Sequence, residues 1–174
     1  FRKRNNSSYL KKYEHAETEM KYDIILHLGS SEIRKLDREI EEDTLKLLVN
    51  YKTLITDAGN TERFKYYKTR YAANNNFTFK LYNTLEDMHI DAVSSKIILC
   101  YDGGQAHFLG QFSRCIVLVG TLLLKQWAPY DFSDYILHKK WSDGVEAYIS
   151  KGEKKHIAIT YPVWCAPCFN VGCE

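Results

Sequence analysis

Lys96-Ile97-Ile98-Leu99-Cys100-Tyr101 runs directly into Asp102-Gly103-Gly104. A short apolar run closed by a turn-forming triplet predicts a strand buried on both faces, the kind that a parallel sheet contains. Working upstream, Thr53-Leu54-Ile55-Thr56 reads as another strand, ended by Asp57-Ala58-Gly59-Asn60, and Phe79 to His89 reads as a helix between the two. Working downstream, the apolar stretch Cys115 to Trp127 reads as a helix buried behind the sheet and Tyr135-Ile136-Leu137-His138 as a further strand. Ser142 to Gly152 reads as a last helix stopped by its terminal glycine. Strands alternating with helices predict an α/β fold with a parallel sheet flanked by helices.

The character of the chain changes near residue 50 and again near residue 153. From Ser7 to Asn50 it is rich in helix formers and charge. After Gly29-Ser30-Ser31, the residues Ile33, Leu36, Ile40, Leu47 and Leu48 fall on one face at helical spacing, with Glu32, Asp37, Glu39, Glu41 and Glu42 elsewhere. Such an amphipathic helix either lies on the edge of the following domain or docks a partner. The expected organisation is therefore a helical N-terminal extension over 1–50, an α/β domain over 51–153, and an extended cysteine-bearing tail over 154–174.

Composition removes several classes of function. The chain has 174 residues, 45% of them apolar, which is enough for a buried core and too much for a disordered chain. With 24 Lys and Arg against 22 Asp and Glu, the net charge of +2 offers no basic field of the kind that holds nucleic acid. The longest apolar run, Cys115 to Leu124, is broken by Gly120 and Thr121 and falls short of the roughly 20 residues that cross a bilayer. No membrane span and no nucleic-acid partner are expected. Five cysteines, three of them crowded at the C-terminus, do not make the even framework of a small secreted scaffold and point to a reducing interior or an organelle. Phe1-Arg2-Lys3-Arg4 is basic and free of acid, as beside a transit-peptide cut, so a mitochondrial location is expected, with the cytoplasm as the alternative.

Five pieces, taken in order, resemble the rhodanese (thiosulfate and mercaptopyruvate sulfurtransferase) superfamily, in particular its non-catalytic type of domain. Thr53 to Ala58 is similar to the first strand with its Asp-Ala ending, and Phe79 to Ile90 to the helix that precedes the central strand. Lys96 to Asp102 resembles that central strand, and Ser113-Arg114 with the following apolar run resembles the start of the helix behind it. Tyr135-Ile136-Leu137 and Trp141 to Tyr148 resemble the strand, turn and helix that finish the domain. The resemblance implies catalysis through a cysteine thiolate at the first position of the loop after the central strand, where backbone N–H groups and a helix N-terminus stabilise the anion.

This chain departs from that pattern. The nucleophile position is Asp102, and Cys100 lies two residues earlier inside the strand, where a cysteine is usually a small buried hydrophobe. Eleven residues, Gly103 to Ser113, replace a tight anion loop. The resemblance therefore implies a pseudoenzyme; were the chain active, Cys100 would carry the persulfide and Arg114 would open the following helix.

The tail carries the other candidate chemistry. Trp164-Cys165-Ala166-Pro167-Cys168 is similar to a thioredoxin redox motif but has only six residues after it, too few for the helix that would lower the thiol's pKa. Cys165, Cys168 and Cys173 could give three thiolates to zinc, with His156 or a partner chain as a fourth ligand, or two of them could form a disulfide. Cysteines simply packed against a neighbouring surface fit as well. The expectation is thus a catalytically inactive, rhodanese-like accessory subunit that docks on other protein subunits and needs no cofactor; zinc is the one cofactor the sequence leaves open. An active sulfurtransferase and a small redox or zinc module are the alternatives.

Overall fold

The computed structural model describes residues 19–29, 38–57, 59, 61–119 and 134–160. Its elements are β1 (Tyr22–His27), α1 (Arg38–Leu48), β2 (Thr53–Asp57), α2 (Glu62–Arg70), β3 (Phe77–Leu81), α3 (Leu85–Val93), β4 (Ser95–Tyr101), α4 (Gly104–Leu109), β5 (Cys115–Val119), β6 (Tyr135–Lys140), β7 (Glu146–Ser150) and β8 (Ile157–Thr160). One eight-stranded sheet holds all the strands in the order β3-β2-β1-β4-β5-β8-β7-β6. The pairs from β3 through to β8 are parallel, and the β6–β7 and β7–β8 pairs are antiparallel. The architecture is α/β, as the strand–helix alternation predicts.

Alternation along each central strand feeds two cores. On one face Ile25, Leu54, Ile98, Cys100 and Val117 pack with Met88 and Ala92 of α3 and with Ala106 and Leu109 of α4. On the other, Leu26 and Ile55 pack with Leu45 and Leu48 of α1 and with Phe64 and Tyr67 of α2. The helices that lead from β1 to β2 and from β2 to β3 thus cover one face, and those that lead into β4 and β5 cover the other, so the sheet is doubly wound. Local chemistry fixes the helix starts. The Thr61 hydroxyl accepts the Phe64 N–H at 3.3 Å and caps α2. Thr84 caps α3 by accepting the Asp87 N–H at 3.1 Å, while its own hydroxyl donates to Asp87 Oδ2 at 2.8 Å.

Several expected elements differ in kind. Residues 79–81, read as the start of a helix, close strand β3, whose Phe-Thr-Phe-Lys-Leu sequence alternates, and the helix begins only after the Thr84 cap. Cys115 to Val119, read as a buried helix, is strand β5. Sitting between two parallel strands, it is apolar on both faces, and periodicity alone does not separate that pattern from a buried helix. The rest of that reading, from Gly120 to Trp127, lies outside the described residues. Glu146 to Ser150, read as part of a last helix, is strand β7, joined to β6 by a tight turn in which Gly144 has a φ of 86°.

The expected face of the first helix also changes. In α1 the buried residues are Glu41, Leu45 and Leu48, while Ile40 and Leu47 are exposed at 46% and 75%; Ile33 and Leu36 lie outside the described residues. The division at residues 50 and 153 cuts across one sheet. β1 lies at its centre, hydrogen-bonded to β2 and β4, and β8 joins β5 to β7. Residues 1–18, 30–37 and 161–174 of the expected extensions are outside the described residues.

Candidate ligand site at the carboxyl edge of the sheet

From β1 the chain leaves toward β2 on one side, and from β4 it leaves toward β5 on the other. The two strands are neighbours, with Ile24 opposite Ile97 and His27 opposite Cys100. In an open α/β sheet the loops part at such a point and leave a crevice outside the carboxyl ends of the strands, where ligands bind. Here the strand ends deliver His27, Thr56, Asp57 and Asp102 to one edge, with Tyr82 just beyond β3, and all five are buried.

Much of this edge is bound to itself. His27 Nδ1 lies 2.9 Å from Thr56 Oγ1, and its ring centroid is 5.9 Å from that of Tyr82. The imidazole folds back over the first turn, so closely that a Cβ on Gly29 would lie 2.5 Å from His27 Nε2; glycine is needed there to admit the ring. Asp57 clasps the turn after β2. It accepts the Gly59 N–H at 3.3 Å, the Thr61 N–H at 3.2 Å and the Thr61 hydroxyl at 2.6 Å. On the α1 face the buried Glu41 carboxylate accepts the Tyr67 hydroxyl at 2.7 Å and the Tyr101 hydroxyl, and pairs with Arg63 at 2.9 Å. This ties α1, α2 and the end of β4 together. Burial and the Glu41 hydrogen bond push the Tyr67 hydroxyl up, so it stays a donor at any pH the fold survives.

Two cavities open along the edge. The larger, about 340 Å³, is walled by Tyr82, Asn83 and Thr84 of the turn after β3 and by Leu85 and Met88 of α3; Gly104, Gln105 and Phe108 of α4 complete it. The smaller, about 120 Å³, lies on the opposite face between α1 and the ends of β1, β4 and β5, with His27, Glu41 and Tyr101 in its wall. Gly104 lines the larger cavity and follows directly on Gly103. Gly103 has a φ of 149°, which side-chain-bearing residues rarely adopt, and a Cβ on Gly104 would meet nothing within 4 Å. The last residue of the Asp102-Gly103-Gly104 turn read from sequence therefore also lines a cavity.

The residues singled out from sequence do not converge. Asp102 ends β4 at the carboxyl edge, buried at 1% exposure. Arg114 immediately precedes β5, so it sits at the opposite, amino edge, where its Nε donates to the Lys155 carbonyl at 2.9 Å. The eleven-residue connection from Gly103 to Ser113 holds α4 and crosses the full depth of the sheet. Cys100 is buried beside Cys115 of β5. A hydrogen bond with Cys115, together with burial, pushes the Cys100 thiol well above its ordinary value, and that same contact, aided by His156, pulls Cys115 down. His156 is fully buried, with its Nδ1 accepting the Cys115 N–H at 3.1 Å, so it faces the interior. Cys165, Cys168 and Cys173 lie outside the described residues. Among the described residues no group of three His, Cys, Asp or Glu side chains could hold a metal ion, and no helix is long and apolar enough to cross a membrane.

The chain matches no family model, no curated protein and no solved structure. The site thus stands on its geometry. Its main missed members are His27 and Tyr82. Tyr22-Asp23-Ile24-Ile25-Leu26-His27 followed by Gly29-Ser30-Ser31 was the available signal, a strand closed by a turn with the same logic as Lys96 to Gly104.

Proposed function

We propose that this domain binds a small organic ligand in the crevice at the carboxyl edge of its sheet. The supporting observation is that the larger cavity opens at the carboxyl edge of the sheet, between the turn after β3 and the helix that follows β4. A cavity of about 340 Å³ is at the small end of the ligand-site range of roughly 300–1,000 Å³, so the occupant is small or only part of a ligand is held. Gly104→Leu tests the reading directly. A Cβ there would meet nothing within 4 Å and Gly104 lines the cavity, so a leucine should be tolerated by the fold and obstruct the site. A fragment library screened by saturation-transfer NMR on the full chain should give binders that this variant loses. If every binder survives Gly104→Leu, or none is found, the proposal fails.

A second reading, an accessory subunit docked on partner proteins, is favoured by one observation. Ile136 and Leu137 of strand β6, at the end of the sheet, are 50% and 53% exposed, and Trp141 in the adjoining turn is 39% exposed. Substituting all three with polar residues should release the chain from a native assembly without loss of the fold, as read by native size and circular dichroism. Sulfur transfer through Cys100 draws no support from the site, because a buried, protonated thiol is neither reachable nor nucleophilic.

A further inference from the structure

Resting on that ligand-binding reading, the chemistry of the larger cavity narrows its occupant. We infer that it takes an uncharged heteroaromatic group of the size of a purine, as in a nucleoside, and rejects a phosphorylated one. The lining includes two aromatic residues, the buried Tyr82 and the half-buried Phe108, together with Met88. These are the surfaces on which an aromatic ring stacks or makes sulfur contacts. Two carboxamides, on Asn83 and Gln105, complete the lining, and neither makes a hydrogen bond to any other described residue. Each carboxamide offers both a donor and an acceptor, which matches the mixed edge of a heteroaromatic base better than an anion or a hydrocarbon.

The rejection of phosphate follows from charge. Among the described residues lining the cavity there is no Lys, Arg or His. The nearby cation is Lys80, whose Nζ lies 5.7 Å from the Tyr82 ring centroid, and it is already paired with Asp91 at 2.7 Å and Asp87 at 4.0 Å. A phosphate placed here would find no cationic side chain among the described residues lining the cavity, and the first turn of α3 beside it carries the acidic Glu86 and Asp87. The devices by which doubly wound sheets hold dinucleotides are also put to other uses. The first turn has a single glycine, which admits His27 rather than a pyrophosphate, and the carboxylate ending β2 is spent on Gly59 and Thr61.

The test uses adenosine and adenosine monophosphate as probes, with calorimetry and amide chemical shifts on the full chain. Adenosine should bind and move the Gly104 and Gln105 amides, the monophosphate should bind at least about tenfold more weakly, and Gly104→Leu should abolish both. Gln105→Ala should weaken adenosine about three- to tenfold, the worth of one net hydrogen bond. Equal or tighter binding of the monophosphate overturns the inference, as does adenosine binding that persists in Gly104→Leu. If aliphatic fragments bind in a Gly104→Leu-sensitive way and adenosine does not, the ligand-class inference fails while the ligand site stands. If nothing binds, both fail. Gly104→Ala, which leaves the fold less altered, guards against a folding defect in the leucine variant and should give an intermediate loss.

Discussion

Glu41→Ala should be among the most damaging single changes to this fold. The carboxylate is 4% exposed and serves three partners on two other elements: the Tyr67 hydroxyl at 2.7 Å, the Tyr101 hydroxyl, and Arg63 at 2.9 Å. Truncation takes one acceptor from each hydroxyl, at about 1 kcal/mol apiece, and the counter-charge from a guanidinium whose side chain is only 17% exposed, at about 2 kcal/mol more, for a total of about 4 kcal/mol. Urea unfolding followed by circular dichroism measures it. With a slope of about 2 kcal/mol per molar, the midpoint should fall by about 2 M. Glu41→Gln keeps the shape and one acceptor and should lose about half as much. The charge contribution is isolated by a double-mutant cycle with Arg63→Met, which should give a coupling of about 1 kcal/mol or more. A loss below about 1 kcal/mol in Glu41→Ala, or strict additivity with Arg63→Met, would refute the reasoning, since either would mean that the network is replaced by water at no cost.

The other predictions concern single residues. Thr61→Ala removes both the α2 cap and the hydroxyl held by Asp57 at 2.6 Å, and should destabilise the fold by about 1–2 kcal/mol in the same urea assay; Thr61→Ser should recover most of it. Gly103→Ala forces a side chain into a φ of 149° and should cost about 1–3 kcal/mol, whereas Gly104→Ala, one residue on, should be neutral or slightly stabilising. His89 packs edge-on against Phe112 at 4.2 Å between centroids, and burial holds its pKa below the ordinary 6.5. The unfolded chain therefore binds the proton first. The His89 contribution is complete above pH about 6.5 and is lost as the pH falls toward the lower folded value, so the drop in unfolding free energy from pH 7 to 5.5 should shrink in His89→Phe.

How much of this was legible depends on where each residue's environment comes from. Thr53 to Asp57 and Lys96 to Tyr101 could be read as strands because their flanking turn residues announce where they stop. The start of α3 was obscured because Phe77 to Leu81 and Leu85 to Val93 are both mixed apolar segments, with only Thr84 to mark the break. Cys115 to Val119 was not legible as a strand. Its side chains are apolar because β4 and β8 flank it and helices cover it, and β8 lies about 40 residues further on. β1 was missed for the converse reason: its apolar core of Ile24, Ile25 and Leu26 is short, and charged segments on either side imitate a helical extension.

The site suffered most, because it belongs to no local segment. Its place is set by β1 lying beside β4, strands whose paired residues Ile24 and Ile97 are far apart in sequence. A reading that takes residues 1–50 as an extension cannot put His27 beside Cys100 or recognise the edge where the loops part. The turn Asp102-Gly103-Gly104 was visible, yet a glycine-rich turn is chemically neutral until the side facing it is known. Only when α3 is placed across from α4 does the open space beside Gly104 become a cavity between Met88 and Phe108. A carboxylate ending β4 takes its meaning from the strand ends around it, and here β1 and β2 bring His27 and Thr56 to the same edge, with Tyr82 just beyond β3.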